Sequence, residues 1–388
     1  MNLFKLFCAA LVLFYCAACT FETKRDEQNQ DLAYQLPVLP DNLVKGATKV
    51  SSLIDTAVFL QLGTIPDQQI GYVDKAVFYE DRIYVLDKEV AKNIFVFDQQ
   101  GQFLFSFGGK EKAFAKYHRP EDFLINNGQL LVLDGQVMRI HFYDLATGQH
   151  LKTENLEFTA SHFARTGGNY AFVGTSKFDK LIITDARFKV VTTQFPYNEK
   201  NSNRYPSHLS VLADSSVLFR ISYCDSVFKI RNREVATSAL INFGTSAFTY
   251  KDLTDIPAND RLQRVNNVVR ENFSGNVFFY SELPNQIYFT YLDRGQQHSA
   301  IYHQADKRLL AHNWRKLTND VTYGENPPLF CSDDPTGYLI GSISAEAKES
   351  ILAKMASMDK NEYATVLSNL LGSIDASANP ILYKIWLK

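Results

Sequence analysis

Acidic and basic side chains recur at equivalent places in the first half of the chain, at the ends of short apolar runs. The run RIYVLD ends in Asp87 and the similar run QLLVLD ends in Asp134, while Arg119, Glu121 and Asp122 stand just before another run. Carboxylates and an arginine that meet at one place can bind a polar ligand through charge-assisted hydrogen bonds. Carboxylates can also hold a divalent cation that polarises a carbonyl group. These residue types therefore allow either a binding site or a metal-assisted hydrolase or lyase site.

The same reasoning extends to side chains that flank other apolar runs. The candidate ligand-binding set is Arg119, Glu121, Asp122, Asp87, Asp134, His162, His208 and Arg220, with Asp74, Lys75, Lys88 and Tyr223 beside them. The alternative for Asp87, Asp122 and Asp134 is that each accepts backbone N–H groups in a tight turn, a role that aspartate fills well. Arg119 is the strongest individual candidate, because an arginine beside two carboxylates suits contact with a partner.

Sequence motifs of known reaction types are missing. The eight histidines are scattered, and no His-x-x-x-His or His-Glu-x-x-His pair occurs. The sequence also lacks a Gly-x-Ser-x-Gly elbow, a P-loop, a dinucleotide fingerprint and an EF-hand loop. A lone histidine is more often a surface or packing residue than a metal ligand. The sequence therefore names no catalytic residue, no cofactor and no metal.

Four apolar runs between Gly71 and Gly108 supply the elements that would position these side chains. AVFY, RIYVLD, NIFVFD and QFLFSF are rich in Val, Ile, Phe and Tyr, which suit a pleated and half-buried surface. Polar turns separate the runs, at Glu80-Asp81 and before Gly101, which can adopt a positive φ without steric cost. Four strands in an up-and-down meander form one blade of a β-propeller.

Further copies of this pattern predict a complete ring. Residues 121–152 repeat the first blade at an offset of about 48 residues, a spacing typical of four-stranded blades. Weaker copies cover residues 161–195, 208–244, 275–303 and 328–386, the last beginning with a strand at Pro328–Phe330. Residues 51–63 read as a strand with no neighbouring partner, which we expect to complete the last blade. The fold class is all-β, a six-bladed β-propeller over residues 51–388, and its loops bring the candidate residues to the channel mouth.

Two segments interrupt the strand pattern with helical periodicity. Residues 261–270 read as a short helix, and residues 345–371 as two helices with a break near Lys360. Asp359 and Glu362 have the spacing of a capping box, and Gly372 suits a C-cap. The second helix has the apolar stripe Tyr363, Val366, Leu367 and Leu370. We expect this helical insertion to pack on the outside of the last blade.

The N-terminus has the features of a processing segment. Lys5 precedes the apolar stretch Leu6–Tyr15, which is too short to cross a bilayer as a helix. Ala17-Ala18-Cys19 resembles the lipobox of bacterial lipoproteins, in which the cysteine carries the lipid. We expect residues 1–18 to be a signal peptide, Cys19 to be lipidated and residues 19–50 to be a tether and lead-in segment. The alternative is an ordinary cleaved secretory signal.

Two cysteines lie outside this segment, Cys224 and Cys331. They could pair in an oxidising compartment. The sequence favours two buried, unpaired thiols, since nothing places the two residues within bridging distance.

With the blades assigned, the chain resembles the six-bladed β-propeller lipoproteins of Gram-negative gut-type bacteria, a group of NHL-like fold. The resemblance rests on VDKAVFYEDRIYVLD with IFVFD after it, on RPEDF at residues 119–123, on DSVFKI at residues 225–230 and on NPILYK at residues 379–384. In that family a Gly-rich loop between the first two blades ends in Gly-Pro-Gly-Glu-Tyr. Here residues 108–117 keep only the leading glycines and Tyr117. The resemblance implies a fold and an export route and no reaction.

Two functions remain open. The first is a lipid-anchored extracytoplasmic binding or protein-interaction module on the outer membrane, facing the periplasm or the cell surface, with a glycan, peptide or protein partner. The second is a metal-assisted hydrolase or lyase with its site at the channel mouth. Nucleic acid is not an expected partner, because the formal net charge is -2 and no Lys/Arg-rich block occurs.

Overall fold

The computed structural model describes residues 33–107, 117–196, 207–221, 224–244, 247, 274–324, 330–334, 336–375 and 377–388. These residues form the six-bladed β-propeller that the repeats predict. In each blade the strands pair in an antiparallel order, and the first strand of the blade lies innermost, against a central cavity. The predicted helix at residues 261–270 lies outside the described residues.

The first three blades follow the predicted boundaries closely. Blade 1 contains Lys75–Tyr79, Arg82–Asp87, Asn93–Asp98 and Phe103–Ser106. Blade 2 contains Asp122–Asn126, Gln129–Asp134, Arg139–Asp144 and His150–Asn155. Blade 3 contains Ala160–Thr166, Asn169–Gly174, Leu181–Thr184 and Val190–Gln194. Gly101 has a φ of 81°, as its turn requires.

Blades 4 to 6 depart further from a regular repeat. Blade 4 contains Ser207–Val211, Val217–Ile221, Ser226–Arg231 and Glu234–Asn242. Blade 5 contains Ser274–Glu282, Gln286–Asp293, Gln296–His303 and Arg308–Asn313. Blade 6 contains Ser332–Asp334, Tyr338–Ile343, Ile381–Leu387 and Ile54–Gln61. Ile54–Gln61 is the outermost strand of blade 6 and pairs in an antiparallel manner with Ile381–Leu387 at the C-terminal end of the chain. The N-terminal strand therefore closes the ring, as predicted.

The lead-in segment contributes more structure than its sequence suggests. Tyr34–Pro37 adds a fifth strand to blade 4 by pairing in parallel with Glu234–Asn242. Thr48–Lys49 pairs in parallel with Leu317–Thr318. Short 3₁₀ turns at Pro40–Asn42 and Val50–Ser52 connect these pieces. Residues 34–52 are therefore part of the folded propeller, and Leu36 is fully buried against blade 5.

Two helices follow the second strand of blade 6, namely α1, Lys348–Ala356, and α2, Glu362–Gly372. The break near Lys360 and the packing beside Ile54 of the outer strand agree with the prediction. The cap does not, because Asn361 accepts the hydrogen bond from the Ala364 N–H at 3.1 Å in place of Asp359. Gly372 ends the helix without a positive φ, and the C-cap is Ser373. Val366 is exposed, and Leu371 takes the buried place at the end of the stripe.

Apolar clusters between neighbouring blades hold the ring together. Tyr84, Phe123 and Tyr143 belong to the cluster between blades 1 and 2, and similar clusters join each later pair, including blade 6 to blade 1. Burial of such side chains supplies most of the free energy of folding. Within the described ranges, no helix has the length and apolar character needed to cross a membrane.

Candidate functional site

A cavity of about 750 Å³ lies on the propeller axis and is lined by the inner strands. Blades 1 to 3 contribute most of the charged side chains, namely Asp74, Lys75, Lys88, Glu121 and Asp122, together with apolar ones. Blades 4 to 6 contribute mainly apolar and aromatic side chains, among them Val211, Phe278, Trp314 and Phe330, together with Arg220 and Asp334. A concave space of this size with a few convergent polar groups is the usual form of a small-ligand site.

Strand register assigns the lining residues to levels along the axis. We count back from the last residue before each two-residue hairpin turn, which is Tyr79, Asn126, Thr166 or Leu283. The fourth residue back is then Lys75 in blade 1, Asp122 in blade 2, His162 in blade 3 and Phe279 in blade 5. We call these four residues the lower level. One residue nearer the mouth are Asp74, Glu121 and Phe278, which we call the upper level. The backbone N–H groups of Asp74 and Glu121 make equivalent bonds to Leu86 and Leu133 carbonyls, at 2.9 and 2.8 Å.

Asp122 of the lower level connects three blades. Its Oδ1 accepts the Lys75 ammonium of blade 1 at 2.7 Å and the Phe123 N–H at 2.8 Å. Its Oδ2 accepts the Phe163 N–H of blade 3 at 3.0 Å. The residue is only 4% exposed, and the Lys75 ammonium also donates to the Phe123 carbonyl at 2.7 Å. This carboxylate is therefore fully engaged by the protein itself.

Asp74 and Glu121 of the upper level are engaged differently. The Lys88 Nζ lies 3.8 Å from Asp74 Oδ1, and the Arg119 Nε lies 3.8 Å from Glu121 Oε1. Each pair is close enough for attraction between charges and too far apart for a direct hydrogen bond. Burial raises the pKa of both carboxyl groups, and the nearby Lys88 and Arg119 oppose that rise. The upper level therefore holds paired charges with unused hydrogen-bonding capacity.

Arg119 lies behind this level and does not line the cavity. Its guanidinium donates to Glu89 of blade 1 and approaches Glu121 of blade 2, which also bonds to the Gln136 side chain. The buried Nε has no hydrogen-bond partner among the described residues. The strongest sequence candidate thus lies next to the site and sets the charge around Glu121.

Asp87 and Asp134 are buried outside the cavity. Asp87 Oδ2 accepts the N–H groups of Gly71 and Tyr72 at 2.7 and 3.2 Å, and its Oδ1 accepts the Val90 N–H at 2.8 Å. Asp134 Oδ2 accepts the His118 N–H at 2.5 Å, while its Oδ1 has no partner in the described part of the chain. Asp87 and Asp134 therefore accept backbone N–H groups, which is the structural alternative to ligand binding that the sequence left open for them.

Arg220 lines the cavity from blade 4 but directs its donors into the wall. The guanidinium donates to the backbone carbonyl of Val277 and, at 2.8 Å, to that of Phe278 in blade 5. It is 4% exposed and forms no ion pair with a described carboxylate, and burial lowers its pKa to about 10. These carbonyls belong to a β-bulge between Gly275 and Phe279, where Gly275 and Asn276 both have positive φ. Arg220 therefore holds the bulge in place.

The remaining candidates are placed less completely. His162 lines the cavity, its Nδ1 lies 3.0 Å from Ser161 Oγ, and burial lowers its pKa. The backbone of His208 pairs with that of Arg220, while the side chain of His208 is outside the described part of the structure. Tyr223, residues 108–116 and Cys19 also lie outside the described residues. The predicted strand at Pro328–Phe330 is also outside, except Phe330, and the inner strand of blade 6 is Ser332–Asp334.

A metal site finds little support in this geometry. No group of three or more His, Cys, Asp or Glu side chains within the described ranges could hold a metal ion. Glu121 and Asp122 were the carboxylates expected to hold such an ion, and the oxygens of Asp122 are taken by Lys75 and two backbone N–H groups. The thiols of Cys224 and Cys331 are unpaired, and burial raises their pKa to about 11 and about 12.

Sequence reasoning missed Phe278 as a site residue. The side chain lines the cavity and is 38% exposed, an unusual state for a phenylalanine within an inner strand. A signal was present, because Gly275-Asn276 at the start of an apolar run is typical of a bulge, which redirects the side chains that follow.

Comparison with known families identifies the fold group. A family model described as Domain of unknown function (DUF4934) matches residues 35–385. The chain belongs to the DUF4934 family. None of the curated proteins compared with this DUF4934 chain matches it.

One solved structure shares the fold of this DUF4934 chain, and two others resemble it more distantly. The crystal structure of a Bacteroides fragilis protein, named as a candidate exported protein, has 15% sequence identity and a TM-score of 0.72, covering 91% of this chain and 99% of that chain. At that identity the likeness shows the fold alone. Hydrazine synthase from Kuenenia stuttgartiensis has 14% identity, coverage of 80% and 88%, and a TM-score of 0.44. BamB from Moraxella catarrhalis has 10% identity, coverage of 65% and 66%, and a TM-score of 0.40. The last two carry no argument.

Proposed function

We propose that this protein is an extracytoplasmic binding module that takes a small polar ligand into the channel mouth. The observation that carries the proposal is the upper level of the cavity. There Asp74 and Glu121 each have a cation at 3.8 Å, and the Lys88 Nζ that lines the cavity has no hydrogen-bond partner among the described residues. Asp74 Oδ2 does accept the Lys88 N–H at 2.9 Å, so the unused hydrogen-bonding capacity lies in its other oxygen and in the Lys88 ammonium. Polar groups with unused capacity in a concave site can exchange water for a ligand at small cost.

The binding function is favoured over the metal-assisted hydrolase or lyase because the cavity carboxylates already have partners in the protein. The second function needs at least three ligand atoms from different blades at one point. Both Asp122 oxygens already accept hydrogen bonds, from Lys75 of blade 1 and from the Phe163 N–H of blade 3. The Glu121 carboxylate has the Arg119 guanidinium 3.8 Å away. An arginine at that distance competes with a cation for the same carboxylate.

Protection of Lys88 against amine acylation tests the proposed site. The full chain in detergent would be acylated with and without the low-molecular-mass fraction of the bacterial envelope, and labelling read by mass spectrometry. Occupancy of the mouth should slow labelling of Lys88 and leave Lys189 unchanged, since that lysine is exposed on blade 3. Glu121→Gln should remove the protection. Equal labelling of Lys88 with and without the envelope fraction would overturn the proposal.

We further propose that the propeller is an outer-membrane lipoprotein of NHL-like type, with residues 1–18 as signal peptide and Cys19 as the lipid attachment site. Ala17-Ala18-Cys19 supports this, and so does the name of the Bacteroides fragilis protein of the same fold, a candidate for export. In a Gram-negative host fed an alkyne fatty acid, the chain should be labelled and recovered with outer membranes. Cys19→Ala should abolish labelling, and Cys16→Ala should not. Labelling that survives Cys19→Ala would exclude this attachment site.

A further inference from the structure

Two unlike walls face each other across the mouth of the channel. In a ring of six blades, blade 5 stands opposite blade 2. Phe278 lines the cavity from blade 5 and Glu121 lines it from blade 2, with Asp74 and Lys88 of blade 1 next to Glu121. A ligand at this level would meet an aromatic ring on one side and carboxylate and ammonium groups on the other.

The exposure of Phe278 is built into blade 5. Its strand would bury alternate side chains if it were regular, but the bulge between Gly275 and Phe279 breaks the alternation. The buried guanidinium of Arg220 donates to the carbonyls of Val277 and Phe278 and so fixes this departure. Burying an arginine whose partners are carbonyl groups alone costs desolvation free energy that no ion pair offsets. The outcome is a rigid aromatic surface in the cavity, which ligand binding would remove from water.

The opposite wall is balanced in charge. Asp74 has Lys88 at 3.8 Å and Glu121 has Arg119 at 3.8 Å, so each carboxylate is accompanied by one cation. An organic cation would have to compete with Lys88 and Arg119, and an anion would meet two carboxylates. A neutral ligand that both donates and accepts hydrogen bonds suits this wall best.

We propose that the channel mouth binds a neutral carbohydrate ring, stacked on Phe278, with hydroxyl groups that donate to Asp74 and Glu121 and accept from Lys88. This inference rests on the function proposed above and names its ligand class. The C–H face of a pyranose is apolar and weakly positive, which matches the negative face of an aromatic ring. A cavity of about 750 Å³ has room for one or two such rings.

Titration of named sugars tests the ligand class. The full chain in detergent would be titrated by calorimetry and by saturation-transfer NMR with glucose, galactose, mannose, N-acetylglucosamine and their common disaccharides. Putrescine and succinate serve as a cationic and an anionic panel. At least one sugar should bind, and Phe278→Ala should weaken it about tenfold, as expected for loss of one stacked ring. Phe278→Tyr should restore binding, and Glu121→Gln should weaken it.

Val211→Ala is the matched control, because Val211 also exposes an apolar side chain to the cavity but lies at the hairpin end of its inner strand. That variant should bind the same sugar unchanged. Binding of putrescine or succinate with no sugar bound would overturn the carbohydrate assignment. If no sugar binds while the envelope fraction still protects Lys88, the carbohydrate inference fails and the binding function stands. If Lys88 is not protected either, both fail.

Discussion

The two levels of the channel wall lie one residue apart and use similar side chains in opposite ways. In the lower level, Asp122 gives every oxygen to Lys75 or to backbone N–H groups of two blades. In the upper level, Glu121 keeps its cation at 3.8 Å and its carboxylate faces the cavity. Both residues are buried, at 4% and 8% exposure. Burial therefore does not distinguish the structural carboxylate from the one that we propose to bind a ligand, whereas unused hydrogen-bonding capacity does.

The largest expected effect separates these two neighbours. Asp122→Ala leaves two backbone N–H groups without an acceptor and leaves Lys75 without its carboxylate. We expect a loss of about 2–4 kcal/mol in the free energy of unfolding, measured by urea denaturation. Glu121→Ala, the control one residue away, should cost less than about 1 kcal/mol, because its ion pair with Arg119 is long at 3.8 Å. Equal losses in the two variants would contradict the distinction between the levels.

Arg220 extends the comparison to the opposite wall. Arg220→Met should destabilise the fold by about 2–3 kcal/mol, because the carbonyls of Val277 and Phe278 lose their buried donors. Hydrogen exchange should also become faster at residues 275–280, since the bulge is no longer held. Arg231→Met is the control, because Arg231 is exposed and pairs with Asp214 at the surface. That change should cost less than about 0.5 kcal/mol. Unchanged exchange in Arg220→Met would show that the bulge is stable without Arg220.

The sequence predicts the fold well because each blade repeats a local rule. Alternating β-branched and aromatic residues with polar turns specify four strands, and the match of RIYVLD to QLLVLD specifies the repeat. The strand Tyr34–Pro37 escaped prediction because its partner, Glu234–Asn242, is about 200 residues away and its own pattern is short. Asp359 was a wrong choice of cap because Asn361 stands closer to the first helical turn.

The site is predictable only in part, because a side chain's role depends on neighbours from other blades. Glu121, Asp122, His162 and Arg220 do line the cavity. Sequence could not show that the Asp122 carboxylate accepts hydrogen bonds from Lys75 and from the Phe163 N–H. It also could not show that Arg220 donates to a carbonyl of the blade 5 bulge. It also could not reveal that Phe278 is exposed to the cavity, because that exposure depends on a local change of strand register.

The equivalent aspartates of blades 1 and 2 allow a smaller test of unused capacity. Asp87 accepts three backbone N–H groups, so Asp87→Asn would turn an amide group toward donors and should cost about 1–2 kcal/mol. The loop after Asp134 is one residue shorter, and Asp134 Oδ1 has no partner among the described residues. Asp134→Asn should therefore cost less than about 0.5 kcal/mol. A larger cost for Asp134→Asn in urea denaturation would show that Oδ1 is satisfied by something else, such as a bound water.

The smallest expected effect is a pH dependence at the upper level. Burial raises the pKa of Glu121 above its usual 4.5, so the folded protein holds that proton more tightly than the unfolded chain. Stability from this group is present below pH 4.5 and is lost as the pH rises through the folded-state pKa. Glu121→Gln removes the effect. The difference in free energy of unfolding between Glu121→Gln and the parent protein should therefore grow in favour of the variant as the pH rises from about 4 to 7.

Asp185 supplies the control of opposite sign. The N–H groups of Lys189 and Arg187 lower the pKa of this exposed carboxyl, so its stabilising contribution is present above the usual pKa of 3.8 and is lost as the pH falls. Asp185→Asn should lose stability relative to the parent at neutral pH and approach it in acid, opposite to Glu121→Gln. If Glu121→Gln followed the same direction as Asp185→Asn, then Arg119 would dominate over burial at Glu121. The upper level would then be a structural ion pair like that of Asp122, and its claim to bind a ligand would be lost.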